Sequence, residues 1–139
     1  MFDLSSFDTG FEIHMNTDLF HIDRCIEEMN YFLHAQDLCQ HFFVLSLLAR
    51  EALNNAMIHG NKMDPIKQVM FRLAQNEQNF SLEITDQGPG FAWENHVHAQ
   101  SDIGCESGRG HEIFTNYATS FSYNDAGNQL TLTYANTQT

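Results

Sequence analysis

The stretch EALNNAMIHGN, Glu51–Asn61, decides how the rest of the chain is read. Ala52 and Ala56 continue a helical stripe begun by Leu45 and Leu48. His41–Gly60 is therefore predicted as an amphipathic helix, with Gly60 as its C-terminal stop. Glu51, Asn55 and His59 stand at i, i+4 and i+8 and form one polar stripe beside the apolar one. Polar groups half-buried in this way need partners. Taken alone, the stripe reads as a solvent-facing helix edge, so any other meaning depends on the other segments.

Working outward, Phe11–Asn16 alternates apolar and polar and is predicted as a strand. Leu19, Ile22, Ile26, Met29 and Leu33 recur at helical spacing behind a Thr17 or Asp18 cap, which predicts a first helix. Downstream, IKQVMFRLA (66–74) and FSLEITD (80–86) read as a strand pair joined by QNEQN. GRGHEIFTNYAT (108–119) opens a third helix, with Ile113, Phe114 and Tyr117 on one face. SFSYN and NQLTLTY alternate as two further strands around the turn DAG. Met1–Gly10 reads as a loose terminus. Helices mixed with several hairpins imply an α+β fold, a two-layer α/β sandwich whose sheet is mixed but mostly antiparallel, with helices on one face.

The chain has 139 residues, which suits a single domain over 1–139 with one core. With 42% hydrophobic residues and 12 Phe it is expected to be folded rather than disordered. Its net charge is −12 and only six residues are Lys or Arg, so no basic patch for nucleic acid can be built. Beyond Leu73 the only fixed cation is Arg109. No apolar run is long enough to span a membrane. Three scattered cysteines, Cys25, Cys39 and Cys105, argue against a disulfide framework and for a reducing, cytoplasmic setting.

Two glycine segments give the polar stripe its meaning. DQGPG places Asp86 at a strand end, followed by Gly88 and Gly90. SGRG places Gly108, Arg109 and Gly110 just before a helix, whose free N–H groups and dipole suit a phosphate. Each segment alone is an ordinary turn or helix start. In order they resemble the Bergerat-type ATP-binding fold of gyrase, MutL and the histidine kinases. They are most similar to the anti-sigma-factor serine/threonine kinases of the RsbW and SpoIIAB type. The pattern E-x-x-x-N-A-x-x-H-G is met by Glu51, Asn55, Ala56, His59 and Gly60. D-x-G-x-G is met by Asp86, Gly88 and Gly90, and S-G-x-G by Ser107, Gly108 and Gly110.

The resemblance implies ATP and Mg²⁺ as ligands. It implies that Asn55 offers an amide oxygen to Mg²⁺, a hard cation that takes oxygen donors. Glu51 is implied as the catalytic base, and Asp86 as the acceptor of the adenine amino group, which distinguishes ATP from GTP. Gly88 and Gly90 allow close backbone approach to the base and ribose. Gly108, Arg109 and Gly110 are implied to cradle the phosphates under a lid formed by Ala92–Ser107. The implied partners are a STAS-domain anti-anti-sigma protein as phosphate acceptor, a sigma factor as the alternative target, and a second copy of the chain in a homodimer. Three features depart from the pattern. Glu106 stands where a basic residue is common, the lid is short and carries no Lys, and His111 stands where an apolar residue is usual. They favour, as the rival reading, a non-catalytic ATP-dependent switch that sequesters its partner. His96, His98 and Cys105 lack the spacing of a structural zinc site. No Walker or nucleophile-elbow motif is present.

Overall fold

In strand Gly10–Asn16, Phe11, Ile13 and Met15 are buried while Glu12 and His14 between them face outward, the period of two that a half-covered sheet imposes. The same alternation buries Val69, Phe71 and Leu73, then Phe80, Leu82 and Ile84, then Leu130, Leu132 and Tyr134. The computed structural model describes residues 1–89 and 106–136. In chain order these are β1 (Phe2–Phe7), β2 (Gly10–Asn16), α1 (Phe20–Ala35), a 3₁₀ turn (Cys39–His41), α2 (Phe42–Asn54) and a π turn (Asn55–Gly60). Then follow β3 (Gln68–Gln75), β4 (Asn79–Thr85), α3 (Glu106–Tyr117), β5 (Ser120–Tyr123) and β6 (Gln129–Ala135).

The strands form one sheet in the order β1-β2-β3-β4-β6-β5, and each pair is antiparallel. The register sets apolar residues opposite one another across the sheet: Ile13 against Phe71, Phe71 against Ile84, Leu82 against Leu132. Each such buried side chain stabilises the fold by about 1.5–3 kcal/mol relative to exposure. The buried faces of α1 (Ile22, Cys25, Ile26, Met29, Leu33) and α2 (Leu45, Leu48, Ala49, Ala52, Leu53) cover that layer. The α+β fold with helices on one side of the sheet is the expected one; the sheet, expected to be mixed, is antiparallel at every described strand pair. Among the described residues no helix is long and apolar enough to cross a membrane.

Four local expectations are corrected. The N-terminus is not loose over residues 1–10: Phe2–Phe7 pairs with β2 as an edge strand. Its burial is slight, and Leu4 is 42% exposed, so no apolar stripe announces it. Leu19 is not in the core stripe of the first helix. It precedes α1 and is exposed, while His21 and Cys25 are buried in its stead. Neither Thr17 nor Asp18 is the N-cap of α1: Leu19 holds that position without a side-chain cap, the Asp18 carboxylate accepts from Phe20 N at 3.0 Å in the turn ahead of it, and the Thr17 hydroxyl donates to Lys67 O. The third helix begins at Glu106, so Gly108 and Gly110 lie inside it rather than ahead of it.

Candidate functional site

Helix α2 turns its apolar face to the sheet and to α1, and an Arg50–Asp23 ion pair at 2.9 Å ties the two helices at the surface. That orientation leaves Glu51 and Asn55 half-buried on its flank and His59 exposed. Beyond Asn54 the helix widens. Asn61 N donates to Ala56 O at 2.8 Å, an i→i−5 bond, and Met63 N reaches back to Met57 O at 2.8 Å. Such π turns occur preferentially at functional sites. Asn55, His59 and Gly60 all lie on it. The chain leaves through two consecutive left-handed residues, Lys62 (φ 53°) and Met63 (φ 59°). Side chains pay for that conformation with roughly 1–2 kcal/mol each.

The glycine that ends this turn is packed onto the second motif. A methyl group on Gly60 would overlap both carboxylate oxygens of Asp86, and one on Gly88 would overlap the Gly60 carbonyl. A side chain at Gly88 would run into backbone, whereas one at Gly60 would have to push the Asp86 carboxylate aside. Asp86 follows β4, its N–H donating to Asn128 O at 2.9 Å, and its Oδ1 accepts from Gly88 N at 2.8 Å. Burial raises the Asp86 carboxyl above its ordinary 3.8, against the opposing pull of the Gly88 N–H and of the Lys67 charge. Burial, and then the Asp86 charge, push the Tyr123 phenol on β5 upward.

One further residue joins the segments. Asn61 is fully buried, with none of its surface exposed. Its Nδ2 donates to Thr17 Oγ1 at 2.8 Å and to Gln68 O at 3.0 Å, and its Oδ1 accepts from Gln87 N at 2.8 Å. Thr17 Oγ1 in turn donates to Lys67 O at 2.8 Å, and Gln68 N donates to Gln87 Oε1 at 2.6 Å. Sequence reasoning misses Asn61, Thr17 and Gln87. An Asn after a helix-ending Gly looks like a solvated turn residue, and its partners lie 44 and 26 positions away.

Of the residues singled out from sequence, the structure brings Asp86 and Gly88 against the end of the Glu51–Gly60 segment, which carries Glu51 and Asn55. Gly108, Arg109 and Gly110 lie in the opening turns of α3, whose free N–H groups are those of its first residues from Glu106 onward. Gly90 lies outside the described residues, as does most of the expected lid over Ala92–Ser107, with Gly104, His96, His98 and Cys105. Among the described residues no group of three or more His, Cys, Asp or Glu is placed to hold a metal ion.

A half-buried carboxylate at a strand end, glycines pressed beside it and a polar helix flank leading to it lie together at one end of an antiparallel sheet under helices. Residues 35–134 match the histidine kinase-like ATPase domain family, and the chain belongs to that family. Among curated proteins none matches this chain.

Proposed function

We propose that this protein is an ATP-dependent serine/threonine kinase of the anti-sigma type, acting on a STAS-domain antagonist in the cytoplasm. The observation that carries the reading is the packing of Gly60 against Asp86 and of Gly88 against the Gly60 carbonyl. It joins the E-x-x-x-N-A-x-x-H-G segment to the D-x-G segment, so the residues read as base-recognising and phosphate-facing lie on touching segments. Family membership supports ATP as the ligand.

In this reading Asp86 accepts the adenine amino proton and Gly88 lets the backbone lie against the base. Asn55 fits a magnesium ligand by its chemistry: a neutral amide oxygen, half-buried on the helix flank. When bound, Mg²⁺ supplies positive charge to the phosphates. The N–H groups at the start of α3 and Arg109 meet the same phosphates. Glu51 takes the proton of the partner's serine or threonine hydroxyl as its oxygen bonds to the γ-phosphorus. The bond to the β-phosphate oxygen breaks and ADP leaves. With a net charge of −12 the chain repels ATP at long range, so local cations and backbone N–H groups must outweigh that field. A homodimer, with a sigma factor as the alternative partner, completes the proposal.

The test is incubation with γ-labelled ATP and a STAS-domain protein of the same organism. Label should pass to a serine or threonine of the STAS protein and be lost in Glu51→Ala. No transfer by the wild type, or undiminished transfer by Glu51→Ala, rejects the kinase. Glu106 in the first turn of α3 favours the second reading, since it sets an acidic residue at the phosphate end. That reading is an ATP-dependent switch that sequesters its partner without phosphorylating it. It requires ATP-dependent partner binding with no label transferred.

A further inference from the structure

We propose that Asn61 is a positioning residue that aims Asp86 and thereby sets the preference for adenine over guanine, with Thr17 as its anchor. The inference rests on the reading of Asp86 as the adenine acceptor.

The turn bearing Asp86 is fastened at each successive N–H. Asp86 N donates to Asn128 O, Gln87 N to Asn61 Oδ1 at 2.8 Å, and Gly88 N to Asp86 Oδ1 at 2.8 Å. The first ties the turn to the start of β6, and the third lies within the turn. The middle one is its only tie among these three to the helix that carries Glu51 and Asn55. Gln87 N belongs to the peptide plane directly following Asp86, so holding it holds the direction of the Asp86 side chain. Asn61 can do this because its own amide is immobilised. Both Nδ2 protons are committed, to Thr17 Oγ1 and Gln68 O, and the side chain has no access to water. Thr17 is locked in turn by Lys67 O. Thr17 precedes the 35–134 range that matches the ATPase domain, so the anchor comes from the bend just after β2, ahead of that range. Without Asn61, Gln87 N, on an exposed residue, turns to water, and the turn loses the bond that fixes its direction relative to the helix end.

A purely structural role predicts a different result. A residue that only stabilises the fold, when removed, weakens all nucleotides alike. A residue that aims Asp86 weakens the ligand whose amino group Asp86 meets, and spares the one that offers a carbonyl there. The experiment is calorimetric titration of ATP and GTP into wild type, Asn61→Ala, Thr17→Val and Asp86→Ala, with thermal melts to verify folding.

Asn61→Ala is expected to bind ATP about tenfold more weakly and to change GTP binding less than about twofold, so the ATP:GTP preference falls about fivefold or more. Thr17→Val, which removes the anchor and leaves Asn61 in place, is expected to move the preference in the same direction by less. It also decides the matter should Asn61→Ala fail to fold. A preference unchanged in every folded variant of this pair, while Asp86→Ala abolishes it, overturns the positioning role alone. A preference retained in Asp86→Ala overturns the adenine-acceptor reading and the inference with it.

Discussion

Gly60 and Asp86, 26 residues apart in sequence, are in such close contact that a methyl group on Gly60 would occupy the space of the Asp86 carboxylate. The end of one helix and the end of one strand thus share a wall, and neither segment can move without the other. Gly60→Ala should displace the carboxylate while leaving the core layers, which lie on the other side of α2, untouched. ATP affinity is expected to fall by about 1–3 kcal/mol, roughly five- to 150-fold. Calorimetry on the folded variant measures this. Wild-type affinity in Gly60→Ala would show that the contact plays no part in nucleotide binding.

The raised carboxyl of Asp86 gives a pH signature. Burial favours its neutral form, so it titrates above its ordinary 3.8, and only the ionised form is a pure acceptor. Affinity for adenosine, which has no phosphate to titrate, should fall on acidification, beginning at a higher pH than an ordinary carboxylate would produce. The effect on stability has the opposite sign. Between the ordinary and the raised value the folded state holds the extra proton, so this group's contribution to stability decreases as pH rises. Adenosine affinity that stays constant down to the ordinary carboxylate range would contradict the assignment.

His41 should oppose that trend in overall stability. It is 2% exposed, lies against the Phe80 ring with centroids 5.2 Å apart, and has its Nδ1 3.3 Å from the Tyr134 hydroxyl. Desolvation lowers its pKa from 6.5. Between the lowered value and 6.5 the unfolded chain binds the extra proton, so stability is full above 6.5 and is lost as pH falls through that window. His21 is lowered for the same reason and adds to the effect. Urea midpoints should drop between pH 7.5 and 5.5, and less so in His41→Leu. An equal drop in His41→Leu would remove His41 from the account.

The thiols should separate in reactivity. Cys25 is fully buried on α1, its Sγ 3.6 Å from Met15 Sδ, and burial pushes its pKa up to about 12. Cys39 is exposed, with His34 Nδ1 3.2 Å from its Sγ. A disulfide reagent at neutral pH should modify Cys39 within minutes and leave Cys25 untouched until the protein unfolds, as peptide mapping by mass spectrometry will read. Modification of Cys25 in the native state would mean that α1 opens on that timescale.

Much of the fold was legible from local pattern. The alternation in Phe11–Asn16, Gln68–Gln75, Asn79–Thr85 and Gln129–Ala135 is strong because one face of each strand is buried and the other is not. β1 was not legible, because an edge strand gains its order from the backbone of β2 and needs no apolar stripe of its own. The π turn was equally hidden. An i→i−5 bond is set by where Asn61 is held, and the residues of Asn55–Gly60 have no composition that demands it.

The sequence by itself determined which residues could meet a nucleotide. Glu51 and Asn55 share a helix flank because of the helical period, and Asp86 and Gly88 end a strand because the alternation stops there. Only the tertiary structure decided that these segments touch, that a side chain at Gly60 would push the Asp86 carboxylate aside, and that Asn61 and Thr17 bind the arrangement together. The reason is physical. Periodicity is a short-range property carried by neighbouring residues. The Asn61 hydrogen bonds reach partners 44 and 26 positions away and acquire their value only when the closed sheet and helix layer exclude water from the amide.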